Sequence, residues 1–532
     1  MSNKCRECAR CAHTCGASAS VQAVRLHEKD NTATVLQSLQ ALSTVRIGCV
    51  WNGAVEEVPL AEDVNFGHKI AVRAIKTAEA VIKYGEIIGT ASQEIAPGAH
   101  VHVHNVASRR GRGDQASEAK RNSRNSRAKV RILHEESVLQ EPLIDLTKAT
   151  FKGYLREDGR AGTRNVVGIL SCVACANDVV MRLADRKSAA FTHQQGCSQT
   201  KPDVDRITEV LYNLAANPNL GAVLLVSLGC ESVPSEALFE RIRALGKPCA
   251  MLVVQKEGGM KGAVKRGRKL LRALEKKIAD CKRTELPISL LQVGLKCGSS
   301  DTTQGLSANV VCGSLTEALV AAGATVVMGE TTEFMGAEHI AAAHAANTDV
   351  ARQIVDRVLD MEKRAMSVGV DMRGGQPTRG NIAGGLTTIE EKSLGALAKA
   401  GSAVFREVTD YGMPPKVQGL VMMDAPGREP EMLTGLAAAG CNLIVFTTGR
   451  GAPQGFPFVP VVKVTGNSRT ADVLKEHIDV YAGAVTDGSQ TLAQAAGELV
   501  RHVRKAAGGR KTKAEKCGYN NSMNIYVTGP VV

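Results

Sequence analysis

The chain has 532 residues, of which 44% are hydrophobic and 22% charged, and its formal net charge is +13. This length is too great for one hydrophobic core and predicts two to four domains of roughly 100–200 residues, while the composition is that of a soluble globular protein. Two stretches account for the whole excess charge. Residues 108–131 contain nine Lys/Arg and two Asp/Glu, and residues 501–517 contain seven Lys/Arg and one Asp/Glu. These basic stretches lack interleaved aromatic residues, so we expect solvated segments and no nucleic-acid partner.

The first segment, 1–19, is polar and contains Cys5, Cys8, Cys11 and Cys15. Their spacing matches the bacterial ferredoxin run, except that Gly16 takes the place of proline. No second ligand set accompanies them, which favours a labile tail over a functional cluster. The 15 cysteines form an odd number without a secretory signal before them, and no apolar run approaches the ~18–20 residues of a membrane span. We therefore expect reduced thiols, a cytoplasmic protein and no membrane partner.

The order of predicted elements indicates an α/β protein with a small β-rich N-terminal domain. Short strand-like runs fill 20–107, and a basic flexible linker occupies 108–150. From 151 onward, apolar strand runs alternate with helical stretches, which predicts mainly parallel sheets. Two α/β lobes are expected, at 151–287 and 288–532, and the sequence ends in a predicted strand over 524–527.

Three cysteines lie in glycine-flanked loops, and two of these loops follow predicted strands. Cys230 follows the run AVLLVS, Cys297 follows SLLQVG, and Cys197 lies in HQQGCS. Ligands of open parallel sheets bind outside the carboxyl ends of the strands. Three thiolates from separate loops suit an iron–sulfur cluster or a single soft metal, although buried structural cysteines would look the same. Other cysteines, Cys175 among them, are predicted to be core or surface residues, and a redox role is the alternative for the pair Cys172-x-x-Cys175 at a strand end.

A second group of candidate metal ligands is the run His100, His102 and His104. Alternate residues of a strand face the same side, so these imidazoles are expected to converge on a metal or an anion. His68 is a candidate to join them, and a surface turn is the alternative for it.

Charged side chains in glycine-rich loops form a third group of candidates. Arg164 precedes a strand in DGRAGTRN, and Arg450 follows the strand NLIVFT; arginine suits bidentate binding of a carboxylate. The stretch from Glu330 to His339 adds carboxylates and an imidazole after another strand, where general acid–base groups are needed. Salt-bridged or solvated side chains are the alternative for each.

These motifs together resemble the altronate/galactarate dehydratase family from about Val21 to about Thr486. The matching stretches are GHKIAVRAI, VIKYGEIIG, APGAHVHVHN, FKGYLREDGRAGTRNVVGIL, THQQGCSQ, LVSLGCES, GLKCGSSDTTQGLSANVVCG, ETTEFMGAEH, GNIAGGLTTIEEKSLGALAKAG and NLIVFTTGRG. THQQGCSQ departs from the glycine-richer form of the family. The resemblance implies an SAF-type β domain before a two-part dehydratase region, a homodimer, and an iron-dependent hydro-lyase acting on sugar acids.

The implied reaction is loss of water from a 2,3-dihydroxy acid to give a 2-keto-3-deoxy acid. A base removes the proton next to the carboxylate, and a metal or an acid assists departure of the β-hydroxyl. Iron, as Fe2+ or a cluster, is the expected cofactor, and another divalent metal is the alternative. The candidate residues are assigned by role: catalytic His193, His339 and Lys392; substrate-binding Arg164, Arg450, Asp301 and Glu338; metal-binding Cys197, Cys230, Cys297, His100, His102 and His104.

Two other functions remain open at this point. Sulfolactate sulfo-lyase, whose large subunit resembles the same dehydratase region, expels sulfite where the dehydratases expel water. Its small subunit corresponds to the SAF part, so an SAF-like domain within this chain favours the sugar-acid substrate. A non-catalytic, metal-bearing regulator that uses the basic segments to bind nucleic acid is the alternative from another class.

Overall fold

The computed structural model describes residues 21–110, 141–369 and 376–532. The predicted cysteine-rich extension and most of the predicted basic linker therefore lie outside the described residues. The expected fold class is confirmed: a β-rich N-terminal domain is followed by α/β regions with parallel sheets. No helix in the described ranges is long and apolar enough to cross a membrane.

The N-terminal domain consists of short strands in two sheets. A six-stranded sheet has the order β4-β3-β1-β2-β5-β8, and a three-stranded sheet has the order β6-β7-β9. The strands are β1 (Ala23–Arg25), β2 (Thr32–Val35), β3 (Thr44–Cys49), β4 (Val55–Pro59), β5 (Lys69–Ala71), β6 (Ala80–Lys83), β7 (Glu86–Ala91), β8 (His100–Val101) and β9 (Val106–Ala107). In β3 every second side chain is buried, as expected for a strand with one face on the core.

The first α/β lobe is built on a four-stranded parallel sheet of order β13-β12-β14-β15. All eight residues of β14 are buried, because helices cover both faces of a parallel sheet. A small antiparallel sheet, β11-β10-β16, lies beside it. The elements are β10 (Thr150–Leu155), β11 (Ala161–Gly162), β12 (Val166–Ser171), α1 (Asn177–Leu183), β13 (Ser188–Phe191), α2 (Lys201–Ala216), β14 (Leu220–Ser227), α3 (Ser235–Arg243), β15 (Cys249–Val253), α4 (Met260–Ile278) and β16 (Thr284–Pro287).

The second α/β lobe contains a seven-stranded parallel sheet of order β19-β20-β18-β17-β21-β22-β23. Strands β18, β19 and β20 lie on one side of β17, and β21, β22 and β23 lie on the other side. The strand order therefore switches between β17 and β21. The elements are β17 (Gln292–Gly298), α5 (Asn309–Ala321), β18 (Thr325–Met328), α6 (Glu338–Ala343), α7 (Thr348–Ser367), α8 (Arg379–Ala383), α9 (Ile389–Leu397), β19 (Phe405–Thr409), β20 (Gly419–Met423), α10 (Glu429–Ala438), β21 (Leu443–Thr448), β22 (Val461–Thr465), α11 (Ser468–Val473), β23 (Val480–Tyr481), α12 (Leu492–Ala507) and α13 (Lys513–Cys517).

The predicted strand over 524–527 is not a strand. These residues have no regular secondary structure and join no sheet. Ile525 is buried in the core shared by the two lobes, and the backbone amide of Tyr526 donates to the Tyr411 hydroxyl instead of to another strand. The apolar pattern reflected packing against the lobes and not sheet pairing.

Candidate active site

One segment, residues 379–392, connects all parts of the candidate active site. We call it the bridging segment; it comprises α8, a glycine-containing loop and the start of α9. Its Gly384 carbonyl accepts from the Thr302 amide at 3.0 Å, next to the carboxyl end of β17. A Cβ on Gly385 would lie 2.2 Å from the Gly67 carbonyl oxygen of the N-terminal domain. The N-terminal domain and the second lobe thus approach each other so closely here that only glycine fits.

Three histidines of the N-terminal domain meet on this segment. His68, His100 and His102 each offer a ring nitrogen within 4.8 Å of the others, and they are the only such ligand group of three in 21–110, 141–369 and 376–532. His68 Nδ1 and His100 Nε2 are 2.9 Å apart, and His102 Nδ1 lies 3.3 Å from Thr387 Oγ1. A cluster of imidazole nitrogens is a ligand set for a divalent transition metal.

The surroundings keep these imidazoles neutral, which is the form that binds metal. Burial lowers the pKa of His68, and it lowers the pKa values of His100 and His102 to about 4 and about 3. The charge of the adjacent Lys69 contributes to each shift. A neutral imidazole presents a lone pair without first releasing a proton, so the cluster is prepared for a metal at neutral pH.

The histidine group differs from the one expected from strand alternation. β8 ends at Val101, because Asn105 Oδ1 accepts from the His102 amide and Asn105 Nδ2 donates to the His100 carbonyl, which turns the chain. His104 consequently stays exposed, with its ring 5.4 Å from that of His100. His68, from the neighbouring strand end, takes the third position.

The second half of the site lies at the switch point of the seven-stranded sheet, where ligand sites are expected. Asp301 follows β17; its Oδ2 accepts from Asn467 Nδ2 at 2.8 Å, and burial raises its pKa. Arg450 follows β21; its amide donates to the Ser299 carbonyl, and its Nη1 donates to the Gly380 carbonyl of the bridging segment at 2.7 Å. The Arg450 side chain is otherwise exposed, so it is placed to meet an anionic ligand.

A buried ion cluster fixes the N-terminal domain to the bridging segment. Glu391 Oε1 accepts from Lys83 Nζ at 2.8 Å, and Oε2 accepts from Lys69 Nζ at 2.9 Å and from the Thr387 amide at 2.9 Å. All three charged side chains are almost completely buried. Burial alone would raise the pKa of Glu391, but the two lysines outweigh it and lower the pKa to about 2.

A second buried ion cluster lies beneath Cys297. Lys296 Nζ bonds Glu330, and Lys399 Nζ lies 2.7 Å from Glu333 Oε2. Glu330 Oε2 also accepts from the Cys297 amide, and Glu330 adopts a left-handed backbone with φ of 66°. Burial and the nearby Glu333 raise the pKa of Glu330 to about 7. A strained non-glycine backbone with a perturbed carboxyl is typical of functional sites.

Among the three candidate catalytic residues, only Lys392 lies at this site. It belongs to the bridging segment and lines a small cavity together with Tyr84, Cys297, Asp301 and Gln304. His193 is fully buried in the first lobe, where both of its ring nitrogens are bonded, to the Ser171 carbonyl and to the Gln195 amide. His339 is 60% exposed and 3.8 Å from Glu86.

Two candidate substrate-binding residues have structural partners. Arg164 makes a double ion pair with Glu515 and also donates to the Ala506 carbonyl, so its guanidinium joins β12 to the C-terminal helices. Glu338 pairs with Arg110 at 2.7 Å. Neither contacts the histidines or the bridging segment through a hydrogen bond in the part of the chain that the structure describes.

The three candidate cysteines are divided between the two lobes. Cys197 and Cys230 are exposed at the carboxyl edge of the four-stranded sheet. Cys297 is buried in the seven-stranded sheet, where its Sγ accepts from Gln304 Nε2 at 2.9 Å. Cys297 therefore belongs with Asp301 and Lys392, whereas the other two belong to a different sheet edge.

Sequence reasoning did not single out the cluster of Lys69, Lys83 and Glu391, or Thr302. Glu391 is more than 300 residues from both lysines in the chain, and each of the three resembles an ordinary surface charge. Thr302 Oγ1 is buried with no hydrogen-bond partner among the described residues, and a Cβ on Gly385 would approach it to 2.7 Å. The glycine pair Gly384-Gly385 was the available signal, because such a pair permits two backbones to approach closely.

Comparisons with known proteins agree over nearly the whole chain. Three family models match: the altronate/galactarate dehydratase SAF domain at 21–109, the second domain of D-galactarate dehydratase/altronate hydrolase at 153–279, and the C-terminal region of D-galactarate/altronate dehydratase at 288–530. The altronate dehydratase of Bacillus subtilis is 31% identical, covering 93% of this chain and 96% of that protein. The altronate dehydratase of Escherichia coli is 32% identical, covering 93% and 97%. The (2R)-sulfolactate sulfo-lyase subunit beta of Chromohalobacter salexigens is 36% identical, covering 71% and 97%.

Proposed function

The chain belongs to the altronate/galactarate dehydratase family of hydro-lyases, and we propose that it removes water from a sugar acid at a metal centre formed by His68, His100 and His102. The proposal rests on one observation: the bridging segment contacts both groups. Its Thr387 contacts His102 of the histidine cluster, and its Gly380 accepts from Arg450 at the switch point of the seven-stranded sheet. A metal-binding group and a carboxylate-binding group are thereby held on opposite ends of the same short stretch of chain.

The residues present fit a divalent metal such as Fe2+. Three neutral imidazoles supply nitrogen ligands, and the unpartnered Thr302 Oγ1 is a buried oxygen at the same close approach of the two domains. When bound, the metal would polarise an oxygen of the substrate and so stabilise negative charge.

The protein's own groups account for the remaining steps. Arg450 binds the substrate carboxylate from the exposed end of the bridging segment, because its Nη1 contact with Gly380 fixes its direction and leaves the other donors available to a ligand. Lys392, as its neutral amine, accepts the proton from the carbon next to the carboxylate. Asp301, whose pKa is raised by burial, donates a proton to the leaving β-hydroxyl. Water leaves, and the resulting enol tautomerises to the 2-keto-3-deoxy acid.

The experiment is an assay of the anaerobically purified chain, loaded with Fe2+, on a panel of aldonates, aldarates and sulfolactate. We expect a 2-keto-3-deoxy acid from an aldonate or an aldarate. Release of sulfite from sulfolactate, with no product from any sugar acid, would assign the sulfo-lyase reaction instead, which the similarity to the subunit beta of that enzyme makes the second candidate.

The metal site is tested by two matched variants of the same loop. His102→Ala should lose turnover together with the Fe2+ that is bound without acid-labile sulfide, because it removes one of the three clustered imidazoles. His104→Ala should retain both, because His104 is exposed and outside the cluster. Equal loss in both variants, or in neither, would contradict the assignment of the metal to the three histidines.

A further inference from the structure

The carboxyl edge of the four-stranded sheet carries an unusual set of thiols. Four of the cysteines in the described ranges are exposed, and three of them, Cys175, Cys197 and Cys230, follow the adjacent strands β12, β13 and β14. Free cysteine is among the most buried residue types. Three exposed thiols on neighbouring loops therefore call for a reason other than packing.

Their position coincides with the switch point of this sheet. In the order β13-β12-β14-β15, the chain adds β13 on one side of β12 and then β14 on the other. Open parallel sheets bind ligands at the crevice where the order reverses. Cys175 follows β12 and Cys230 follows β14, so both border that crevice, whereas Cys197 follows β13 on the other side of β12.

Backbone contacts bring the three loops together. The Ala174 amide donates to the Gln195 carbonyl at 3.0 Å, and the Ser232 amide donates to the Gly196 carbonyl at 2.9 Å. A Cβ on Gly196 would lie 2.4 Å from the Cys172 carbonyl oxygen, so only glycine permits this crossing. The loop of Cys197 is therefore fastened to the loops of both other cysteines.

The Cys197 loop contains a strained backbone position. Ser198, next to Cys197, has a φ of 54°, a conformation that costs free energy for a residue with a side chain. The buried His193 bonds the Ser171 carbonyl and the Gln195 amide, which locks the Cys197 loop to the end of β12. Strain of this kind concentrates where a ligand site is pre-formed.

Two of the sulfurs also have hydrogen-bonding neighbours. Gln255 Nε2 donates to Cys230 Sγ at 3.6 Å, and Ser198 Oγ lies 3.7 Å from Cys197 Sγ. Donors to cysteine sulfur stabilise a thiolate and tune a bound iron–sulfur cluster. The described residues hold no group of three ligand atoms within 4.8 Å apart from the histidines, so these sulfurs are spaced more widely than one ion requires.

We propose that Cys175, Cys197 and Cys230 bind an iron–sulfur cluster at this crevice, separate from the histidine metal centre. Such a cluster engages each cysteine through a different iron and so tolerates the wider spacing. Three cysteine ligands leave one iron of a four-iron cluster open to a non-protein ligand. The site contributes a second, oxygen-sensitive metal centre to the chain.

The test is anaerobic reconstitution of the full chain with Fe2+ and sulfide, followed by iron and acid-labile sulfide assays and electron paramagnetic resonance after reduction. Cys175→Ser, Cys197→Ser and Cys230→Ser are compared with Cys281→Ser, an exposed thiol elsewhere in the same lobe. A fifth protein replaces the four N-terminal cysteines with serine, namely Cys5, Cys8, Cys11 and Cys15. Circular dichroism checks that each variant is folded.

We expect acid-labile sulfide and the resonance signal to be lost in each of the three crevice variants and kept in the other two proteins. Sulfide that disappears with the N-terminal cysteines and survives in the crevice variants would overturn the proposal. Iron without sulfide would also overturn it, and that iron would belong to the histidines. Because sulfide is measured and not turnover, this result is independent of the proposed dehydratase activity.

Discussion

Replacing Glu391 with glutamine should detach the N-terminal domain from the bridging segment. Glutamine keeps an acceptor for the Thr387 amide but removes the charge that Lys69 and Lys83 share. The pKa of Glu391 falls from 4.5 to about 2 in the folded protein. At about 1.4 kcal/mol per pKa unit this corresponds to roughly 3 kcal/mol of stabilisation of the charged form, which is close to the roughly 3–5 kcal/mol that breaking a buried pair costs.

We therefore expect Glu391→Gln to lower the free energy of unfolding by about 3 kcal/mol in chemical denaturation at pH 7. The double variant Lys83→Met, Glu391→Gln should lose less, because it no longer buries two uncompensated cations. Glu79→Gln, which removes the partly exposed partner of Arg73 in the same domain, should leave the midpoint of unfolding unchanged. A Glu391→Gln midpoint equal to that of Glu79→Gln, with bound iron retained, would refute the idea that this cluster fixes the histidines.

The pH dependence gives the same prediction an internal check. A carboxyl whose folded pKa is depressed stabilises the protein above its unfolded value and loses that contribution as pH falls toward the folded value. Wild-type protein should thus lose stability between pH 4.5 and about 2 through Glu391, and the glutamine variant should not. An identical slope for both proteins in this window would contradict the assigned charge state.

Three further variants test the roles assigned to single side chains. Arg450→Ala should lower kcat/KM by roughly 10- to 100-fold in steady-state kinetics, because it removes a charged hydrogen bond to the substrate carboxylate. Arg352→Ala, which changes an exposed arginine paired with Asp349, is the control and should leave kcat/KM unchanged. Lys392→Gln should lower kcat by about 10²–10⁴-fold, because it removes the proposed base. Lys363→Gln, which changes an exposed lysine paired with Asp360, should leave kcat unchanged. A wild-type kcat in Lys392→Gln would show that Lys392 is not the base. Burial lowers the pKa of His193 to about 4, so the wild-type protein should lose stability through His193 as pH falls from 6.5 to about 4. His193→Gln should make the melting temperature less dependent on pH in that window. Thermal melts at several pH values measure this difference.

The sequence was sufficient to predict the fold class and its parallel strands, whereas the roles assigned to single site residues stay predictions. The run 222–227 lies in β14, five residues of 417–423 form β20, and every residue of these two parallel strands is buried. Asp301 and Arg450 lie in the loops after β17 and β21, where the rule for the carboxyl ends of strands points. These predictions succeed because strand burial and loop position depend on residues close together in the chain.

The structure departs from the local sequence pattern where the partners of a residue are distant in sequence. His104 followed the alternation of a strand, but the Asn105 side chain ended that strand at Val101, and His68 was brought in by pairing of β5 with β8. Arg164 lies in a glycine-rich loop like Arg450, but its guanidinium forms an ion pair with Glu515, which lies more than 300 residues later in the chain. Local pattern does not reveal which arginine is already neutralised.

The same limitation explains why the cysteines were grouped across lobes. Cys197, Cys230 and Cys297 share glycine neighbours and strand-end positions, so pattern alone treats them as equivalent. The strand order separates them: Cys230 follows β14 beside β12, whereas Cys297 follows β17 beside β21. Cys175, from the other strand at the first crevice, then becomes the partner of Cys197 and Cys230, and Cys297 becomes a wall of the cavity beside Lys392.

The buried charges explain why two halves of a site can come from two domains. An ion cluster such as Lys69, Glu391 and Lys83 is a costly way to join surfaces, because hydrophobic residues of equal size often stabilise as well or better. Hydrogen bonds and ion pairs specify direction, which apolar contacts do not. Glu391 accepts from Lys69, from Lys83 and from the Thr387 amide, and Thr387 Oγ1 lies 3.3 Å from His102 Nδ1. One carboxylate therefore orients both the docking of the N-terminal domain and His102, the proposed metal ligand. The position of the histidines relative to Arg450 therefore depends on the charge pairing of Lys69 and Lys83 with Glu391 of the bridging segment. A variant that keeps the fold but weakens this pairing should bind metal and substrate without the coupling between them that turnover needs.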